Sequence, residues 1–154
     1  MGSGNRGLLA KLEAWGTKRA LAFVLGSLYP GLGLDVAIAH FVSGSGGHAS
    51  QWVPVGFAGA AGILLIAASL VGSERLMSGI LIIFGSLSIV VGVVGTILHG
   101  APLMSAVSEA GFTWENFVEA LSLHAPPVLA PGAYALLGLA MLGLSSKKLQ
   151  IRLT

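Results

Sequence analysis

Four long runs of apolar residues, separated by polar segments, dominate the chain. They cover approximately residues 20–43, 53–72, 77–99 and 126–144. Each run is close to the ~20 residues that an α-helix needs to cross a hydrocarbon core of about 30 Å. The pattern predicts an all-α integral membrane protein, with four transmembrane helices in an up-down bundle that forms a single domain over residues 1–154.

Two further segments carry apolar residues at helical spacing beside charged residues. In residues 7–18, Lys11 and Lys18 stand beside the apolar residues, which predicts an amphipathic helix lying in the membrane interface. In residues 113–122 the charges are Glu115 and Glu119, which predicts a short amphipathic helix in the outer loop between spans three and four. We expect this second helix to rest on the outer surface of the bundle.

The basic residues all fall on one side of the predicted spans. They are Arg6, Lys11, Lys18, Arg19, Arg75, Lys147, Lys148 and Arg152. The positive-inside rule makes this side cytoplasmic, so we expect both termini in the cytoplasm of a bacterial-type inner membrane. These residues flank apolar spans and do not form a run, which argues against a nucleic-acid partner and for contact with lipid headgroups of the bilayer.

Composition narrows the function further. With 55% apolar and 9% charged residues, the chain is not an ordinary soluble domain. It has no cysteine, which removes thiol redox chemistry, disulfides and thiolate metal sites. No nucleophile and base stand in a recognisable catalytic motif, so the sequence does not favour an enzyme.

Histidines gather on the side opposite the basic residues. His40, His99 and His124 each stand at the end of a span, where Asp35 and Glu119 can approach them. Imidazole and carboxylate are the usual ligands of Zn, Cu and non-haem Fe, so these five residues form a candidate transition-metal site. His40 and His99 alone, on facing helices, could instead hold a haem b iron from both sides. The alternative is that each histidine only caps a helix or bonds a carbonyl at the interface.

Small residues form a stripe along the third span. Gly85, Ser88, Gly92 and Gly95 recur at steps of three and four, which is typical of close helix contact in membranes. We assign this stripe to contact with other membrane-protein subunits. The sequence therefore favours a small accessory subunit or assembly partner of a larger membrane complex, with a metal or haem site outside the cytoplasm. A proton-coupled small-solute carrier using Asp35 and a purely structural helix-packing subunit remain as alternatives.

Overall fold

All of the regular secondary structure in the described part of the chain is helical. The structure of the protein is a computed structural model, and it describes residues 16–42, 47–124 and 129–146. The helices are α1 (Gly16–Val42), α2 (Val53–Val71), α3 (Glu74–Ala110), α4 (Trp114–His124) and α5 (Leu129–Ser145), with a 3-10 helix at Ala49–Trp52 before α2. The interfacial helix predicted at residues 7–18 lies almost entirely outside the described residues.

Three of these helices are long and apolar enough to cross a membrane, whereas the sequence pattern predicts four. They are Gly16–Val42, Ala49–Val71 (the 3-10 helix together with α2) and Glu74–Ala110. The apolar segment Ala130–Ser145 is shorter. Large apolar side chains also remain exposed along α1, α2 and α3, which a lipid environment tolerates and water does not. These features are those of a membrane protein.

Helices α1 and α2 form a tightly packed antiparallel pair. Gly26 faces Leu65, and a Cβ atom built on it would lie 2.9 Å from the Leu65 Cβ. Further along, Gly33 faces Ala58 in the same way, at 2.8 Å. From Gly26 to Gly33 the residue number rises along α1, whereas the facing residue on α2 falls from Leu65 to Ala58, so the two helices are antiparallel. Because glycine has no side chain, the two backbones approach closely enough to pack without intervening atoms.

Helices α3 and α5 form a second tight antiparallel pair, and the small-residue stripe lies at its centre. A Cβ on Gly85 would lie 3.1 Å from the Gly138 carbonyl oxygen, and one on Gly95 would lie 2.9 Å from the Pro131 Cβ. Between them, Gly92 faces Ala135 and Pro131. The prediction assigned this stripe to other subunits, but α5 of the same chain covers it.

At the end where α1 begins, basic side chains of α1 bind residues of α3 and of the turn before it. Lys18 donates to the Ser78 hydroxyl at 2.8 Å, and its Nζ lies 3.6 Å from a Glu74 carboxylate oxygen. Arg19 donates to the Gly72 carbonyl at 2.8 Å. The start of α1 is thus attached to the short turn between α2 and α3. The histidines lie at the opposite end of the helices.

Helix α3 differs most from its prediction, because it does not end near His99. It continues to Ala110, so its 37 residues measure about 55 Å. Gly100 and Pro102 normally favour a helix end, but Leu103 and Val107 are buried against Ala120 of α4, and this packing stabilises the extension.

A sharp turn at Gly111 then reverses the chain into α4. Gly111 has φ +92°, a conformation that favours glycine, and it stands at the C-terminal end of α3. Thr113 accepts from the Asn116 N–H at 3.1 Å as a helix cap, and the Asn116 side chain donates to the Ala110 carbonyl at 2.7 Å. Helix α4, which the sequence pattern places at residues 113–122, packs on the extension of α3.

Candidate histidine site

The structure brings His40 and His99 together. His40 lies in the last turn of α1 and is buried, and His99 lies on α3 and is half-buried. Their ring centres are 6.2 Å apart, with the ring planes inclined by 58°. The two residues are 59 positions apart in sequence and belong to different helix pairs, so they meet at the seam between the α1–α2 pair and the α3–α5 pair.

A small cavity of about 40 Å³ lies beside the two rings. Its lining includes His40, His99, Pro54, Pro131 and Tyr134. A site needs roughly 10–15 Å³ to hold one water molecule, so this space accommodates an ion with a few waters. The His99 Nδ1 atom is buried and has no hydrogen-bond partner among the described residues. A buried polar atom left in this state costs about 1–3 kcal/mol.

Asp35 and Glu119, two of the other predicted ligands, do not join the pair. Asp35 is exposed and lines a shallow depression between α1 and α5 that is separate from the histidine cavity. Glu119 is exposed on α4 and is not part of the cavity lining. His48, which was not among the predicted ligands, is exposed at the start of the 3-10 helix. The side chain of His124 lies outside the described part of the structure.

The described residues therefore offer two imidazoles and no larger ligand set. Within residues 16–42, 47–124 and 129–146, no group of three or more His, Cys, Asp and Glu side chains is arranged to hold a metal ion. Two imidazoles joined to one ion by bonds of about 2.0–2.1 Å place their ring centres about 5 Å apart at a tetrahedral angle and about 6.4 Å apart at a linear one. The observed 6.2 Å corresponds to an angle of about 150° at a shared ion, which is wider than tetrahedral.

A haem does not fit between the two rings as they stand. Pockets for drug-sized ligands measure about 300–1,000 Å³, and a porphyrin is large among such ligands. The cavity of about 40 Å³ is far too small for it. Helix α5, which contributes Ala130, Pro131 and Tyr134 to the lining, would have to move away from α3.

A buried hydrogen-bond network next to this cavity was not predicted from the sequence. The Tyr29 hydroxyl and the Ser88 hydroxyl are 2.7 Å apart, and Ser88 donates to the Tyr134 carbonyl at 2.7 Å. The Tyr134 hydroxyl donates to the Pro54 carbonyl at 3.0 Å. Phe57 packs edge-on against Tyr29, with ring centres 6.0 Å apart. The network links all four helices of the two pairs and fixes their seam directly below the histidines.

The signal for this network was present in the sequence. The chain has two tyrosines, and both stand in apolar runs. A hydroxyl at that depth requires an internal partner, because lipid supplies none. Ser88 was recognised as a small residue of the stripe, but its hydroxyl was not considered as that partner.

A wider groove of about 320 Å³ opens beside the histidines, between the start of α2 and the middle of α3. One end carries the polar residues Ser50, Gln51 and His99. The other end is apolar and is formed mainly by Val90 and Val94 of α3. The Gln51 Oε1 atom is buried and, among the described residues, accepts no hydrogen bond. The groove therefore has a polar end and an apolar end.

Comparison with known proteins adds no further constraint on this site. The histidine pair, the tyrosine network and the groove are the features from which a function can be inferred. No protein-family model, curated protein or solved structure matches the chain.

Proposed function

We propose that this chain is a small accessory subunit of a membrane complex, and that it binds a transition-metal ion between His40 and His99. The observation that carries the proposal is the approach of the two imidazoles to 6.2 Å beside a small cavity. Imidazole suits Zn and Cu, and an N-donor site prefers Cu²⁺ among the divalent first-row ions. Water would complete the coordination, together with His124 if its side chain reaches the ion.

In this proposal α1, α2, α3 and α5 each cross the membrane. The antiparallel contacts of α5 along α3, from Gly85 to Gly95, support the fourth crossing because α5 runs beside the apolar middle of α3. Its 17 residues measure about 26 Å, slightly less than the hydrocarbon core of about 30 Å. Modest local thinning or a few further residues compensate for such a mismatch.

The orientation in this proposal follows the charges. Lys18, Arg19 and Arg75 lie at one end of the described helices and are assigned to the cytoplasm of a bacterial-type inner membrane. His40 and His99 lie at the other end, so the metal would be taken from the extracytoplasmic side. The hairpin formed by α4 and the extension of α3 projects on the same side.

The surface for a partner subunit would lie on α2 in this proposal. Gly56 and Gly59 have nothing within 4 Å of a Cβ position, so a second helix could approach α2 there. Gly56 and Gly59 differ in this respect from Gly85 and Gly92 of α3, which are covered by α5. The subunit role is thus supported by an open small-residue surface, and the metal role by the histidine pair.

Metal titration of the purified chain in detergent or nanodiscs tests the site. We expect one Cu²⁺ or Zn²⁺ per chain, with nitrogen ligation visible in the Cu²⁺ electron paramagnetic resonance spectrum. His40→Ala and His99→Ala should each weaken binding by at least about tenfold, since outer-shell changes alone cost about 10–100-fold. His48→Ala is the matched control, because His48 is exposed and outside the cavity lining. If all three variants bind the metal ion equally well, His40 and His99 are not its ligands, and the result favours a purely structural subunit.

A further inference from the structure

The depression between α1 and α5 carries an inference about the partner of this chain, which rests on the proposed subunit role but not on the metal. We propose that this depression receives a transmembrane helix of another protein, and that a Lys or Arg side chain of that helix pairs with Asp35. The depression measures about 630 Å³, and its lining includes Ser27, Gly31 and Asp35 of α1 and Ala133 and Leu136 of α5. It shares no residue with α2, so the chain would present two surfaces to its partners.

Asp35 lies at the depth of the hydrocarbon chains. Helix α1 is long and apolar enough to cross a membrane, and Asp35 stands about 24 Å along its axis from Arg19. In the proposed orientation Arg19 is at the cytoplasmic boundary of a core about 30 Å thick, so Asp35 is inside the core, about 6 Å from its outer boundary. A carboxylate at this depth is costly, and such a group normally faces the interior of a bundle and pairs with another group.

In this chain Asp35 faces outward instead. The residue is exposed, and the ion pairs among the described residues do not include it, since they involve Lys18 and Arg19 at the other end of α1. Tyr134 is close enough to interact electrostatically with Asp35, but its hydroxyl donates to the Pro54 carbonyl. The described part of the chain therefore supplies no cation to the carboxylate, and a cation from another molecule would compensate the cost of burying it in lipid.

A second copy of this chain does not supply that cation. The sequence has no Lys or Arg between Arg19 and Arg75 or between Arg75 and Lys147, so the apolar spans carry none. A copy inserted in the same orientation would place a second Asp35 at the same depth, where two carboxylates repel each other. Charge complementarity thus requires a different protein.

The floor of the depression is suited to a helix. Ser27, Gly31 and Asp35 follow one another at steps of four, so they share one face of α1 and extend about 12 Å along it. Gly31 has nothing within 4 Å of a Cβ position, and Ala133 adds a small side chain from α5. Small residues allow helix backbones to approach closely in lipid. A helix that packs on Ser27 and Gly31 would bring its next turns beside Asp35.

A helix also holds its cation at a fixed depth. A free cationic amphiphile keeps its charge at the level of the headgroups, and it would have to be drawn into the core to reach Asp35. A Lys or Arg side chain on a transmembrane helix is already inside the core, and pairing with Asp35 lowers the cost of both charges. We therefore expect the partner helix to carry its basic residue in the outer third of its apolar span.

Model helices reconstituted in liposomes with the full chain test the pairing. The probe is a Leu/Ala transmembrane peptide with one Lys in the outer third of its span, and the reference peptide has Leu at that position. Energy transfer between a dye on the peptide and a dye on Ser108→Cys reports binding, because the chain has no other cysteine. We expect the Lys peptide to bind about five- to thirtyfold more tightly, as for a strong polar contact between model helices. Asp35→Asn should abolish this preference and leave binding of the Leu peptide unchanged.

Two leucine substitutions separate the depression from the surface of α2. Gly31→Leu fills the floor and should weaken binding of the Lys peptide at least about fivefold. Gly56→Leu is the matched control, since both glycines are exposed and have nothing within 4 Å of a Cβ position, but Gly56 lies on α2. The proposal is overturned if the Lys and Leu peptides bind equally, or if the two leucine variants behave alike.

Other occupants of the depression give different results, and each of them overturns the proposal. Disulfide formation between copies that carry Leu28→Cys would assign the depression to a second copy, because Leu28 lines it and is 50% exposed. Binding of hexadecylamine in preference to hexadecanol that requires Asp35, without a preference for the Lys peptide, would assign it to a cationic amphiphile. Metal titration at His40 and His99 is measured separately, so a failure at Asp35 is distinguishable from a failure of the proposed function.

Discussion

A methyl group added at Gly92 should loosen the α3–α5 pair more than one added anywhere else on the stripe. A Cβ atom at this position would meet the Ala135 backbone nitrogen and would lie 2.7 Å from the Pro131 carbonyl oxygen. Both neighbours belong to the α5 backbone and cannot rotate away as a side chain could. The two helices must therefore separate, and overpacking of this kind costs about 1–3 kcal/mol.

The matched control is Gly79, on the same helix. A Cβ at Gly79 has nothing within 4 Å. Replacing glycine by alanine inside a helix is itself favourable by roughly 0.5–1 kcal/mol, and this gain applies to both positions. The difference between Gly92→Ala and Gly79→Ala therefore isolates the helix contact, and we expect it to be about 1–3 kcal/mol.

Titration with sodium dodecyl sulfate in mixed micelles measures this difference as a free energy of unfolding. Gly79→Ala should be as stable as the unsubstituted chain or slightly more stable, and Gly92→Ala should be clearly less stable. If the two variants unfold at the same detergent fraction, the backbones of α3 and α5 are not in close contact at Gly92. The described packing of the second pair would then be wrong.

Four further outcomes follow from other contacts. In a double-mutant cycle, Tyr29→Phe and Ser88→Ala should show a coupling of about 0.5–1.5 kcal/mol, whereas additive effects would mean that their 2.7 Å hydrogen bond contributes nothing. Arg19→Gln should lower the free energy of unfolding by about 1 kcal/mol, because it loses a charged donor to the Gly72 carbonyl, and unchanged stability would contradict this role. Acidification from pH 7 to pH 5 should release metal from the histidine pair, because a protonated imidazole cannot ligate, and retention measured by equilibrium dialysis would exclude histidine ligation. A cysteine placed at Ser108 should react with an impermeant maleimide in intact cells, and reaction only after permeabilisation would reverse the proposed orientation.

The long apolar helices were predictable because hydropathy reports them directly. The expected second span, residues 53–72, matches α2 at Val53–Val71 almost residue for residue. The end of the third span was not predictable in the same way. Gly100 and Pro102 are local signals for a helix end, but the burial of Val107 against α4 outweighs them. Such tertiary packing has no trace in the local pattern.

The candidate site was predictable only in part, for the same physical reason. Hydropathy places His40, His99 and Asp35 at similar depths, but it does not say which way each helix is rotated. The packing of Gly33 on Ala58 rotates α1 so that His40 reaches the seam. Asp35 then faces the depression beside α5 on another side of the same helix. The tyrosine network depends on rotation as well, because it joins residues on different helices.

The division into two helix pairs has a consequence for the order in which the chain is assembled. Helices α1 and α2 are adjacent in sequence, so this pair can close as soon as both have left the ribosome. Helix α3 must wait until α4 and then α5 have been synthesised before α5 covers Gly85 and Gly92. During that interval a smooth helix surface suited to close pairing is open within the bilayer. An interruption of synthesis before α5 would leave this surface permanently available to the helices of other proteins, so the addition of α5 protects the nascent chain from incorrect partners.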